Sequence, residues 1–290
     1  MNNISFDLSG KIDQLTIQAL LAVKKEADAL SIPFFIVGAS ARDYILKHCY
    51  GVESARMTRD VDLGVKVANW GQFEQLTDSL IATGEFTSSP ERQRVLFGTL
   101  PIDIVPFGSV VNEDKKISWP PEHEIVMSVV GFEEAYKCSM MIRLSSDPAL
   151  EIRLPTLPGL ALMKIISWED RYPERKKDAE DLLFIMNNYE QAGNFDRLYD
   201  HEQELLQEEN FDTELASIRL LGRDMAIIAD HSTAKVVRNI LDAETGQKSQ
   251  YRLIIDMIQN TIMLESKFEK ILLKIEKLRR GFVERVERGQ

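Results

Sequence analysis

The segment TRDVDLGV, residues 58–65, sets Asp60 and Asp62 one residue apart in a stretch whose apolar alternation reads as a β-strand. Strand side chains alternate between faces, so residues at i and i+2 leave on the same one. Two carboxylates there are costly to bury, because neither neutralises the other. Hard oxygen donors so placed suit Mg²⁺ or Mn²⁺, which keep their remaining positions for water and phosphate oxygens. The plainer alternative is an acidic pair at an exposed strand end, matched by Arg or Lys.

Three more groups bear on that choice. Asp103 is the lone acid in LPIDIVPF (100–107), a second apolar strand pattern where an unpaired charge should not sit. If that strand neighbours 60–66, three carboxylates meet, and such a cluster holds two divalent ions about 3.5–4 Å apart. A backbone donor or an arginine would satisfy Asp103 equally well. IVGASARD (36–43) places Gly38 and small residues between a strand and a helix, where backbone approaches a phosphate and helix N–H groups face it. Ser40 there either caps the helix or binds a phosphate oxygen, and Arg42 either bridges phosphate or pairs with Asp43. Lys164 is the only charge in LPGLALMKIISW (157–168); it either snorkels outward or offers a point charge to a triphosphate. RYPERKKDAEDLL (171–183) follows, with Asp178 and Asp181 at i and i+3 on one helical face. A solvated charged helix accounts for that run as well as a phosphate site does.

The elements that must carry these residues fall into two halves. KIDQLTIQALLAVKKEADAL (11–30) has helical apolar spacing, and PFFIVG (33–38) reads as a buried strand ending at a turn into a helix over 40–48. A helix is expected over 70–83, a hairpin over 93–108 and an exposed loop over 111–124. Short strands are expected in IVMSVVGF, SMMIRLS and LEIRLP. Beyond Pro155 the pattern is helical, with Pro173 expected in a helix's first turn and an amphipathic helix in the last forty residues. The fold class is therefore α+β, a mixed sheet flanked by helices over 1–154 followed by a helical bundle over 155–290. Arg223 and Asp224 read as an ion pair inside that bundle.

The 290 residues carry a net charge of −11, with 44% hydrophobic and 28% charged residues, which is ordinary for a globular protein and argues against broad non-specific nucleic-acid binding. Arg56, Arg59, Arg92, Arg94, Arg175, Lys176 and Lys177 nonetheless offer a local basic path for RNA. No apolar run approaches a membrane span, and MNNISFDLSGK lacks a secretory pattern. Cys49 and Cys138 have no metal-ligand spacing and read as small core thiols of a cytoplasmic protein. His48, His123, His201 and His231 are scattered, which leaves a metal-dependent phosphodiesterase without support.

In this order, a glycine turn with a small polar residue, a DxD strand and a lone Asp on a neighbouring strand resemble the polymerase-β-like nucleotidyltransferase superfamily. FFIVGASARDYIL followed by TRDVDLGV is similar to the head region of tRNA CCA-adding enzymes and poly(A) polymerases. LPGLALMKIISWEDR with RKKDAEDLLFIM is similar to the AbiEii-like abortive-infection nucleotidyltransferase toxins. The likeness spans roughly residues 30 to 190 and implies a nucleotidyltransferase fold for the first half. It also implies metal binding by Asp60 and Asp62 and a base or third ligand at Asp103. Lys164 then contacts nucleotide phosphate, Asp178 is the acid of the last motif, and Gly38 and Ser40 form the phosphate turn. The helical half would contribute Lys164 and Asp178 to the site. Ala39 stands where the family commonly has a second glycine or a serine, and KHCYGVESARMT (47–58) lengthens the gap to Asp60 as a loop near the site. The implied reaction is Mg²⁺-dependent transfer of a nucleoside monophosphate from a nucleoside triphosphate, with pyrophosphate leaving. The acceptor would be a tRNA 3′ end, a protein hydroxyl or a small molecule, and a cognate antitoxin would be a partner. The alternative from another class is a non-catalytic nucleotide-binding regulatory module.

Overall fold

The structure, a computed structural model, describes residues 4–54, 58–258 and 265–288, and the chain divides into two units, Met1–Thr156 and Leu157–Gln290. The strands of the first unit are β1 (Ile4–Asp7), β2 (Phe34–Val37), β3 (Val61–Val67), β4 (Phe86–Ser88) and β5 (Arg94–Phe97), then β6 (Leu100–Gly108), β7 (Lys116–Ser118), β8 (Val126–Ser128), β9 (Met140–Ser146) and β10 (Ala149–Leu154). Eight of them form one mixed sheet in the order β1-β9-β10-β2-β3-β6-β5-β4, and β7 pairs with β8 in a separate ribbon. Its helices are α1 (Gln14–Ala29), α2 (Gly38–Asp43), α3 (Trp70–Ala82) and α4 (Phe132–Lys137); a π-helical segment, Tyr44–Cys49, continues α2.

Local chemistry sets several of these boundaries. Asp13 caps α1 by accepting the Thr16 N–H, and Asn69 caps α3 by accepting that of Gln72. β2, buried at all four residues, lies between β10 and β3, as its unbroken apolar run requires. On β3, Val61, Leu63, Val65 and Val67 are buried on one face, while Asp62, Gly64 and Lys66 point to the other. That second face continues into an aromatic cluster, with Phe35 5.6 Å from Phe107 and 5.5 Å from Tyr136 between ring centroids.

Three expectations are corrected here. The loop expected over 111–124 contains β7, whose partner β8 uses only the first part of IVMSVVGF. β8 ends at Ser128, and Gly131, at φ 89°, is the cap residue that turns the chain into α4, whose first turn carries Glu133 and Glu134. Cys138 is exposed rather than in the core, whereas burial pushes the partly covered Cys49 thiol up to about 11.

The second unit contains only helices among its described residues: α5 (Leu157–Asp170), α6 (Lys176–Asn188), α7 (Phe195–Asp200) and α8 (Gln203–Glu208), then α9 (Thr213–Ile228), α10 (His231–Thr245), α11 (Arg252–Ile258) and α12 (Glu265–Arg288). A π-helical segment, Glu190–Asn194, precedes α7. Pro173 lies in the turn before α6, which begins only at Lys176. Arg223 and Asp224 do not pair with each other. Arg223 reaches Glu284 and Glu202, while Asp224 takes a fork from Arg197 at 2.6 and 2.7 Å and the Tyr189 hydroxyl at 2.6 Å. α9 and α12 cross at two glycines: a Cβ on Gly222 would overlap the Leu278 carbonyl, and one on Gly281 the Arg219 carbonyl. Because both obstacles are backbone, Gly281→Ala should destabilise the second unit by about 1–3 kcal/mol. Chemical denaturation measures it; an unchanged midpoint would show that the two helices separate without cost.

Candidate active site

The site in the first unit is built around β3. Asp60 immediately precedes the strand and Asp62 lies within it. Asp62 pairs in register with Val37 on antiparallel β2 and with Asp103 on parallel β6, so the carboxylates of Asp62 and Asp103 occupy neighbouring positions on one face. Gly38 follows Val37 at φ 67°, and a Cβ there would overlap the Asp62 carboxylate. Only glycine satisfies both demands, the left-handed backbone and the close approach. The Ser40 hydroxyl donates to the Asp60 carbonyl at 2.6 Å, tying α2 to the start of the aspartate strand. Ser40 thus positions Asp60, and its hydroxyl hydrogen is committed to that bond.

Arg42 is buried and donates to Asp43 through Nε at 2.9 Å, while Thr58 Oγ1 donates to the other Asp43 oxygen at 3.0 Å. Of its two expected roles, the pairing with Asp43 is the one the structure displays. In the expected loop, residues 55–57, Arg56 among them, lie outside the described residues.

Asp103 faces Arg94, its register partner on antiparallel β5. Arg94 grips it as a fork, Nε to Oδ1 at 2.7 Å and Nη2 to Oδ2 at 2.8 Å, and Nη2 stands 3.9 Å from Asp60 Oδ2. The hydrogen bonds to Asp103 hold Arg94 protonated well above the ordinary arginine range. Among the described residues no three His, Cys, Asp or Glu side chains converge as a ready metal cluster. Asp60 and Asp62 nevertheless fit a divalent ion by their chemistry: both are hard oxygen donors at the start of β3, and the missing Cβ of Gly38 is what lets the Asp62 carboxylate occupy its position.

The second unit places Lys164 on α5 between two carboxylates of α6. Its ammonium donates to Asp178 Oδ1 at 2.7 Å and reaches Asp181 Oδ2 at 2.6 Å, with all three side chains buried. Lys164 therefore does not snorkel. Burial works against its charge, but the two carboxylates outweigh it and raise its pKa. For Asp178, burial opposes ionisation and the nearby Lys164 and Arg175 outweigh it, so its pKa is lowered. Asp178 Oδ2 is buried and has no hydrogen-bond partner among the described residues, with Arg175 Nη1 3.9 Å away.

The expected basic path is largely committed elsewhere. Arg92 bonds Glu122, Arg94 holds Asp103, Arg175 stands 3.9 Å from Asp178, and Lys176 stands 3.8 Å from Asp256. Among the described residues only Arg59 and Lys177 of that set have no carboxylate partner.

The profile of the nucleotidyl transferase AbiEii toxin family, of type IV toxin–antitoxin systems, matches residues 22–272. The chain belongs to this family. It is a nucleotidyltransferase, and its sheet-plus-bundle architecture is an α+β nucleotidyltransferase fold. No curated protein matches the AbiEii chain. Among solved structures, the solution structure of the antibiotic-resistance factor ANT(2'')-Ia is similar at 14% identity and a TM-score of 0.36, over 69% of this chain and 98% of that one. A CCA-adding enzyme in complex with ATP is similar at 15% identity and a TM-score of 0.32, over 96% and 70%. The Thermotoga maritima CCA-adding enzyme with tRNA gives 11% and 0.29, over 94% and 80%. At such identities and scores, membership rests on the family profile.

Two residues of this AbiEii chain gain a place that the sequence reading did not give them. Spacing alone gives Asp181 a face shared with Asp178 and makes Arg94 one cation of the RNA path. The signal for Arg94 was in the hairpin: Phe97 pairs with Leu100, so counting back along both strands sets Arg94 opposite Asp103. For the lysine triad, Lys164→Met should cost the second unit about 3–5 kcal/mol, because two buried carboxylates then face each other. Adding Asp181→Leu should restore part of that loss; equal melting of the single and double variants would refute the coupling. The same triad sets a pH window. Asp178's contribution is present above the ordinary aspartate value of 3.8 and is lost as pH falls through its lowered pKa. Lys164's is present below the ordinary lysine value of 10.5 and is lost as pH rises through its raised pKa. The triad's share of wild-type stability should thus be flat between those values, whereas Lys164→Met, whose two buried carboxylates lack their cation, should gain stability as pH falls below neutrality. A variant whose stability does not rise on acidification would contradict the assignment.

Proposed function

We propose that the chain transfers a nucleoside monophosphate from a nucleoside triphosphate to an acceptor hydroxyl, in the cytoplasm and with a divalent ion, Mg²⁺ or Mn²⁺, on Asp60 and Asp62. The observation that carries this reading is the register of Asp62 with Asp103 beside a glycine that no other residue can replace. An ion held there would supply charge neutralisation of the triphosphate and polarise its phosphoryl oxygens. The chain's own share is positioning. Gly38 keeps the backbone close to Asp62, and Ser40 fixes Asp60. The resemblance gives Lys164 a phosphate contact and Asp178 a place in the same reaction. The acceptor hydroxyl would lose its proton to Asp103 or to solvent, attack the α-phosphorus in line and displace pyrophosphate.

For the acceptor we favour RNA, the tRNA 3′ end that the resemblance implies, with a cognate antitoxin as the protein partner of a type IV toxin. One observation favours a second reading. Most of the described cations meant for an RNA path are already ion-paired, which fits a protein or small-molecule acceptor on a chain of net charge −11.

Label from each of the four α-³²P nucleoside triphosphates, with Mg²⁺, should pass to total tRNA, and Asp62→Asn should abolish the transfer while leaving the far-UV spectrum and melting unchanged. Label on the protein itself would move the acceptor to a protein hydroxyl. Full turnover by a folded Asp62→Asn chain would refute the ion assignment.

A further inference from the structure

The three carboxylates of the first unit are expected to gather two divalent ions, yet Asp103 already holds a cation. Arg94 is its cross-strand partner, and the fork at 2.7 and 2.8 Å engages both Asp103 oxygens. The same guanidinium stands 3.9 Å from Asp60 Oδ2, between two of the three acids. Bridging two carboxylates with one delocalised charge is the service a second ion would perform. Arginine performs it at every physiological pH, and its rigid fork matches a carboxylate edge to edge. The placement is not accidental side-chain drift, because strand register fixes it and the side chain is only about a quarter exposed. Arg94 Nη1 makes no hydrogen bond among the described residues, so both its hydrogens remain for another acceptor.

We propose that Arg94 is a phosphate-binding residue of the nucleotide site and stands in for a second metal. Asp103 is then a positioning residue that aims the guanidinium, and the chain works with one divalent ion, on Asp60 and Asp62. Nη1 takes a phosphate oxygen of the triphosphate. This rests on the nucleotidyl-transfer reading above and narrows it.

The test counts ions. Equilibrium dialysis of the full chain with Mn²⁺ and each of the four α,β-methylene nucleoside triphosphates should give one Mn²⁺ per bound nucleotide. Arg94→Met should weaken that nucleotide by about ten- to a hundredfold, the loss of one charge-assisted contact. It should also let a second Mn²⁺ onto the freed Asp103. Asp103→Asn, which keeps the shape of β6 and leaves Arg94 without its charged anchor, should weaken the nucleotide while the count stays at one. A two-ion site gives the opposite pattern, two Mn²⁺ in the wild type falling to one in Asp103→Asn, and would overturn the proposal while leaving nucleotidyl transfer standing. So would an Arg94→Met chain with wild-type affinity and count. A wild-type chain that binds neither Mn²⁺ nor any nucleotide would overturn the transfer reading and this inference with it.

Discussion

Asp62 and Asp103 are brought side by side by the register of two parallel strands inside the main sheet. Like charges so placed, on strands whose opposite faces are packed with valine, leucine and isoleucine, oppose the fold unless a cation lies near them. The surrounding residues answer to that constraint. Gly38 gives up a side chain so that the Asp62 carboxylate fits, Ser40 holds the backbone of Asp60, and Arg94 supplies a permanent positive charge across β5. Local destabilisation of this kind is typical of functional sites, where structure is arranged for a ligand rather than for stability alone.

The second unit solves the same problem by another route. Lys164 is enclosed with two carboxylates, leaving the triad one negative charge in excess and one Asp178 oxygen without a hydrogen bond. Elsewhere in the bundle charge is handled by closed networks. Arg219 contacts Glu208, Glu209 and Glu284, and Arg252 contacts Glu169 and Glu244 while its guanidinium lies over the Trp168 and Tyr172 rings. Those networks close within the unit apart from Arg223 Nη2, which like Asp178 Oδ2 is buried without a hydrogen-bond partner among the described residues. The AbiEii family profile spans both units.

Much of this was legible from residue order. Period-two and period-3.6 patterns located the sheet strands β2, β3, β5, β6, β9 and β10 and the helices α1, α3, α5 and α6, because burial on one face is imposed by the period of the chain itself. A strand is expected where β8 lies, but its partner β7 is not, because Lys116–Ser118 is short and sits in a polar stretch. Its strand signal comes from the partner rather than from the segment, and the same limit hid the break at Gly131.

The sequence by itself determined which residues carry charge where charge is costly: Asp60 and Asp62 on one strand, Asp103 among apolar neighbours, Lys164 in an apolar helix. Composition and spacing suffice for that, since the penalty for burying a charge does not depend on what finally meets it. Tertiary structure alone decided the more distant partners. It gave Ser40 to the Asp60 backbone and Lys164 to two aspartates at once. Pairing is a matter of distance between segments far apart in the chain, and strand order and helix packing set those distances.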